Sequence, residues 1–228
     1  MTELSTALIV GASRGLGLGL VQEYLARGWR VIATQRGSGS SSALGALDSE
    51  ALTIETLDID DEAGIAALAA RLAGTKLDLL YVNAGVSDDP AIPIGQVSTS
   101  EFDRVMRTNA LGPMRVVEQL GALVTSGGTI AVMTSALGSV STEPSPSYEL
   151  YGASKAALNR LMRGYAVRAG GDHTLLAVMP GWVKTDMGGD EAPLDVATSV
   201  RGIADAIAAR TGTPGLTFID YSNAVLPW

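Results

Sequence analysis

A chain of 228 residues with 46% hydrophobic and 18% charged residues has the length and apolar content for one α/β domain, and this balance argues against disorder. A formal net charge of −8 gives no general attraction for nucleic acid or an anionic membrane, and the absence of cysteine excludes disulfides, thiolate metal sites and cysteine nucleophiles. The single histidine, His173, leaves no histidine cluster for a metal. With no signal peptide or membrane span visible, a cytoplasmic location is the default expectation.

Residues 6–10 read as a strand that runs into Gly11-Ala12-Ser13-Arg14-Gly15-Leu16-Gly17, with a helix over 16–27. A glycine-rich turn between strand and helix lets backbone N–H groups approach a pyrophosphate, which makes Gly11, Ser13, Arg14, Gly15, Leu16 and Gly17 candidate dinucleotide contacts. A tight turn with close helix–strand packing would use the same glycines. A second strand over 30–34 is followed by Gln35 and Arg36, with no acid where NAD sites place one for the ribose hydroxyls. Arg14 and Arg36 could instead converge on a 2′-phosphate, which points to NADP(H); two solvated arginines are the alternative. The run 37–42 reads as a loop, and residues 52–56 as the third strand. Asp58 could bond the adenine amino group or cap the helix expected over 61–73. The acids at 58, 60, 61 and 62 are explained by that helix start without a metal.

A fourth strand over 77–82 leads into Asn83-Ala84-Gly85, small residues that let the chain pass close to a nucleotide. A helix is expected over 99–123, opened by the capping-box pattern Ser98-Thr99-Ser100-Glu101. Gly112-Pro113 interrupts it, and Asn109 at that break could hold a water on a proton path or serve only the kink. Ser135 follows a strand over 129–134 and is placed to bond a substrate carbonyl. Tyr151-Gly152-Ala153-Ser154-Lys155 opens a helix over 151–169. Residues four apart share a face, so the ammonium can lower the phenol pKa and let Tyr151 exchange a proton during hydride transfer. Tyr148 lacks a lysine four residues on and is expected at the entrance. His173 is expected in a surface turn. After a strand over 175–179, Pro180, Gly181, Val183 and Thr185 are candidates for the nicotinamide end, and 187–189 for a flexible lid. A helix over 194–209 and a strand over 216–219 close the chain. The alternation predicts a Rossmann-type, doubly wound α/β domain over 1–228, with a seven-stranded parallel sheet and helices on both faces.

In this order and at these spacings the residues resemble the short-chain dehydrogenase/reductase family over essentially the whole chain. The resemblance implies a catalytic triad of Ser135, Tyr151 and Lys155, with Asn109 as the fourth member. It matches Gly11, Gly15 and Gly17 to the cofactor glycines, and Arg14 and Arg36 to the basic positions of NADP-preferring members. Residues 11–20, 180–200 and the ending Leu226-Pro227-Trp228 are similar to the C-factor and sniffer-type carbonyl reductase branch. Val82-Asn83 departs from the two asparagines of many members, which would loosen one backbone support. The implied activity is NADP(H)-dependent reduction of an aldehyde or ketone, reversible as alcohol oxidation. A small carbonyl or alcohol is then the partner, with no nucleic acid and no membrane, and a homodimer could pair through helices 99–123 and 151–169. Leu137, Val140, Tyr148, Trp182 and Met187 point to a hydrophobic or aromatic carbonyl in a small or open site. An NADP-binding signalling or redox-sensing protein without essential turnover is the rival reading.

Overall fold

The computed structural model describes residues 4–37, 42–142 and 146–228. All seven apolar runs become strands: β1 (Thr6–Val10), β2 (Arg30–Gln35), β3 (Leu52–Thr56), β4 (Leu77–Val82), β5 (Val124–Met133), β6 (Thr174–Met179) and β7 (Gly215–Asp220). They pair in parallel as one sheet in the order β3-β2-β1-β4-β5-β6-β7. Parallel neighbours require crossovers, and these carry α1 (Gly15–Ala26), α2 (Glu62–Arg71), α3 (Thr99–Met106), α4 (Gly112–Leu120), α5 (Glu149–Ala169) and α6 (Val196–Arg210).

The period of two along each strand divides the core between the two faces. Ala7 and Ile9 of β1 join Leu20, Tyr24, Ile203 and Ile207 of α1 and α6 on one side. Leu8 and Val10 join Ile65, Leu68, Val117, Leu120, Leu158 and Met162 of α2, α4 and α5 on the other. Covered on both faces, the inner strands are apolar almost throughout, whereas β3 at the edge is half exposed. Most of the run expected as a loop at 37–42 lies outside the described residues.

Two elements differ from expectation. The helix expected over 99–123 is divided: α3 passes into a π-turn at Arg107–Leu111 before α4 begins, and a 3-10 turn at Gly121–Leu123 ends it. Pro113 lacks the N–H that would bond the carbonyl four residues back, at Asn109, and its ring crowds that carbonyl, so the backbone widens there. β5 starts at Val124 rather than Thr129, because its first half is polar and contains a register shift beside Gly127, whose φ is +73°. Ser98 caps α3 by accepting from Glu101 N at 3.2 Å, but the Glu101 side chain turns to Arg104 instead of closing the capping box. Among the described residues, no helix is long and apolar enough to cross a membrane, and no group of His, Asp and Glu is placed to hold a metal.

The chain runs outward from β1 to β3, then returns to β4 on the other side of β1. The loops leaving β1 and β4 therefore diverge, and a crevice opens at their carboxyl ends.

Candidate active site

A cavity of about 980 Å³ occupies that crevice and extends along the carboxyl ends of the strands. Gly11 leaves β1 with φ +85°, and a Cβ there would stand 2.8 Å from Ala84, so the glycine turn packs against the loop after β4. Asn83 Nδ2 donates to the Gly11 carbonyl at 2.7 Å, while Gly11 N donates to Thr34 Oγ1 at 3.0 Å. Asn83 thus supplies a tie from the β4 loop to the turn even though Val82 replaces the second asparagine. Ser13, Arg14, Gly15 and Leu16 line the cavity. Gly17 does not: it lies beneath the turn, where a Cβ would meet the Gly11 carbonyl at 2.2 Å. Close packing requires a glycine at this position.

Arg14 and Arg36 both border the cavity and are exposed. Arg14 Nη1 lies 3.2 Å from Asp186 Oδ2, an exposed pair that water and salt screen. No acid stands at the end of β2; Gln35 is buried there and accepts from Ser42 Oγ at 2.7 Å. Asp58 also borders the cavity and does not cap α2. The capping position belongs to Asp61, while Asp58 Oδ1 accepts from Asp60 N at 3.0 Å.

Tyr151 and Lys155 lie one turn apart on α5, with Lys155 Nζ 5.6 Å from the phenol ring centre. Ser135 lines the cavity near the Tyr151 phenol, on which it has a lowering influence, and its Oγ accepts from Leu137 N at 3.1 Å. Lys155, only 2% exposed, donates to the Met133 carbonyl at 2.9 Å. Burial moves the two groups in opposite directions. It pushes the Tyr151 phenol up to about 12, against a smaller lowering by Ser135, and pushes the Lys155 ammonium down to about 8. Burial thus dominates the phenol, and the lowering that opposes it comes from Ser135.

Asn109 is fully buried and does not line the cavity. Its Oδ1 accepts from Val86 N at 2.8 Å, and its Nδ2 donates to the Val86 carbonyl at 2.8 Å and to Ser154 Oγ at 2.9 Å. Both amide hydrogens are committed to protein, so the side chain clamps the wall of the site rather than holding out a donor toward Lys155. Gly85 keeps the wall thin, since a Cβ there would approach Asn109 Oδ1 at 3.3 Å and Lys155 Nζ at 3.4 Å.

Beyond β6, Pro180, Gly181, Val183 and Thr185 line the cavity. The expected flexible lid at 187–189 is a wound turn: Gly188 N donates to Thr185 Oγ1 at 3.1 Å, and Trp182 Nε1 to the Gly188 carbonyl at 2.8 Å. Leu137, Tyr148, Trp182 and Met187 border the cavity as expected; Val140 does not and is 84% exposed. Tyr148 takes a left-handed conformation (φ +61°) and meets the Tyr151 ring edge-on at 6.4 Å. His173 is half-buried, away from the cavity, with Nε2 3.3 Å from the Val124 carbonyl. The motifs give no sign of Asp88, a buried acid that accepts from Tyr151 N at 3.1 Å, nor of the part taken by Ser154. Both act through contacts distant in sequence, for which no local pattern exists.

Comparison with known proteins agrees with this geometry. A short-chain dehydrogenase/reductase structure from Burkholderia multivorans with bound NADP superposes with a TM-score of 0.96 at 45% identity, covering 99% of this chain and 100% of that one. A carbonyl reductase from Pseudomonas aeruginosa PAO1 in complex with NADP gives 0.91 at 37% identity, with 99% and 100% covered. The C-signal protein of Myxococcus xanthus is 35% identical over 166 residues, which is 71% of this chain and 99% of that protein. The family model for the short chain dehydrogenases matches residues 5–193, and to that family this chain belongs.

Proposed function

We propose that this protein is an NADPH-dependent carbonyl reductase that acts on uncharged aromatic or apolar aldehydes and ketones. The observation that carries the reading is the meeting of Ser135, Tyr151 and a buried Lys155 in the same cavity as the glycine turn. The cavity fits a dinucleotide phosphate. The turn lines it at the start of α1, Arg14 and Arg36 border that end, and no acid at the end of β2 opposes a 2′-phosphate. The Burkholderia and Pseudomonas structures that contain NADP support the same choice.

When bound, NADPH supplies hydride to the carbonyl carbon and becomes NADP⁺. The chain's own residues handle the oxygen. Ser135 and Tyr151, which line the same cavity, both donate to the carbonyl oxygen and orient it. Tyr151 gives up its proton as negative charge develops on that oxygen, which yields the alcohol. The Lys155 ammonium beneath the ring stabilises the phenolate left behind. A phenol held near 12 is protonated at neutral pH, which suits reduction; alcohol oxidation needs the phenolate and is favoured by alkaline conditions. Leu137, Tyr148, Trp182 and Met187 form an apolar part of the lining, which suits an apolar carbonyl substrate.

The test is NADPH oxidation against aliphatic, aromatic and quinone carbonyls, with Tyr151→Phe as the control. Turnover should fall by about 10²- to 10⁴-fold in the variant, the usual contribution of a positioned acid, while NADPH binding persists. Variant turnover within tenfold of the parent would remove Tyr151 from the role. Bound NADPH without any turnover in the parent would transfer the assignment to a sensor.

A further inference from the structure

The Tyr151 backbone is held on both sides. Its N–H donates to Asp88 Oδ1 at 3.1 Å, and its carbonyl accepts from Ser154 Oγ at 2.7 Å. Ser154 Oγ accepts in turn from Asn109 Nδ2, and the Asn109 amide makes two bonds to the backbone of Val86. Asp88 is two residues beyond Val86, so these bonds close a ring through the loop after β4, the π-turn and the first turn of α5.

Asp88 occupies the open position in that ring. The first N–H groups of a helix have no partner within it, and that of Tyr151, the third residue of α5, is one of them. Tyr148 precedes the helix in a left-handed conformation and provides no side-chain cap. A carboxylate 63 residues earlier does so instead, and a negative charge suits a helix N-terminus. Asp88 is 8% exposed and does not border the cavity. Its loop is fastened again where Ile94 N donates to Glu149 Oε2 at 2.6 Å and Arg104 Nη2 to the Ser87 carbonyl at 2.9 Å.

We propose that Asp88 is a positioning residue: its carboxylate oxygen fixes the first turn of α5 and so sets where the Tyr151 phenol stands relative to Ser135. The inference rests on Tyr151 as the proton donor. Substrate binding against the wall at Val86 and Ser87 and the placing of the acid are then coupled through the Asp88 hydrogen bond.

Three variants test it, each read by hydrogen exchange of the peptide containing residues 149–153, by kcat and by the NADPH dissociation constant. In Asp88→Ala, exchange should rise in the first turn of α5 but not in the rest of the helix. Its kcat should fall about 30- to 100-fold, the scale on which a displacement near 1 Å acts, with NADPH affinity within about twofold of the parent. Asp88→Asn keeps an acceptor at the same reach and should recover most of the loss. Asp88→Glu keeps the charge but moves the acceptor by one methylene, and should resemble Ala. The Asn and Glu variants decide the matter even if Ala fails to fold. Glu outperforming Asn, unchanged exchange in Asn and Glu alike, or increased exchange with full kcat would each overturn the proposal. A parent without carbonyl turnover would remove the function reading alone, since the exchange data still report on the anchor.

Discussion

At Lys155 stability and the proposed chemistry pull in opposite directions. Burial lowers its pKa from the ordinary 10.5 to about 8, a difference equivalent to roughly 3 kcal/mol between the charged and neutral forms. Below about pH 8 the folded and unfolded chains both hold the proton, so the whole penalty is present. Between about 8 and 10.5 the unfolded chain binds the extra proton, and the penalty is relieved as pH rises. Lys155→Met should therefore be inactive but more stable at pH 7. The lost bond to the Met133 carbonyl returns about 1 kcal/mol of the gain, which leaves about 2 kcal/mol, or a rise of roughly 4–8 °C in a chain of this size. Thermal unfolding at pH 7 and at pH 10.5 checks this, since the advantage should shrink at the higher pH. In the parent, kcat for reduction should fall above about pH 8, as Lys155 loses the charge that supports the phenolate. A flat profile to pH 10 would contradict that role. Tyr151, Lys155 and Ser135 were legible in sequence as candidates that meet at one cavity, because the i, i+4 spacing and a strand end are local features. Asp88 and Ser154 were not, since their partners lie 63 and 45 residues away.

The strands could be read from the sequence because burial on both faces demands unbroken apolar runs, and the helices because their crossovers demand amphipathic ones. Reading failed where polar residues carried a strand, at the start of β5, and where one proline changed the pitch of a helix without ending it, at the π-turn. The turn after β1 shows the same division. Its glycines were legible as a group, but only packing separates Gly15, on the cavity, from Gly17, beneath it. At this scale the proposed reading assigns cofactor choice to two loops, the glycine turn with Arg14 and the end of β2 with Gln35 and Arg36. The double variant Gln35→Asp, Arg36→Ala places an acid near the ribose and removes a guanidinium. Loss of a charge-assisted hydrogen bond is worth about 1.5–3 kcal/mol, so kcat/KM with NADPH should fall about 10- to 100-fold while that with NADH holds or rises. Asp is shorter than Gln and would release the Ser42 hydroxyl as well. Unchanged NADPH affinity in the double variant would refute the assignment of these loops.

The cavity is lined from the carboxyl ends of β1 to β6, and so spans both halves of the sheet across the point where strand order reverses. The two halves meet there through the β1–β4 pairing, and above it through side-chain ties such as Asn83 to Gly11. A ligand along the carboxyl ends adds contacts to both halves at once, which couples cofactor binding to the stability of the whole sheet rather than of one loop. A ligand that binds only the folded chain, at 100 times its dissociation constant, stabilises it by about 2.7 kcal/mol, or roughly 5–11 °C at this chain length. Thermal unfolding with NADPH should show that rise in one cooperative transition, and NADH at equal concentration a smaller one. Tyr151→Phe should keep the NADPH rise, because the phenol serves the chemistry more than the binding, whereas Gln35→Asp, Arg36→Ala should lose most of it. A rise confined to one part of the melting curve would mean that the two halves unfold separately, and that the ligand supports only the half it touches.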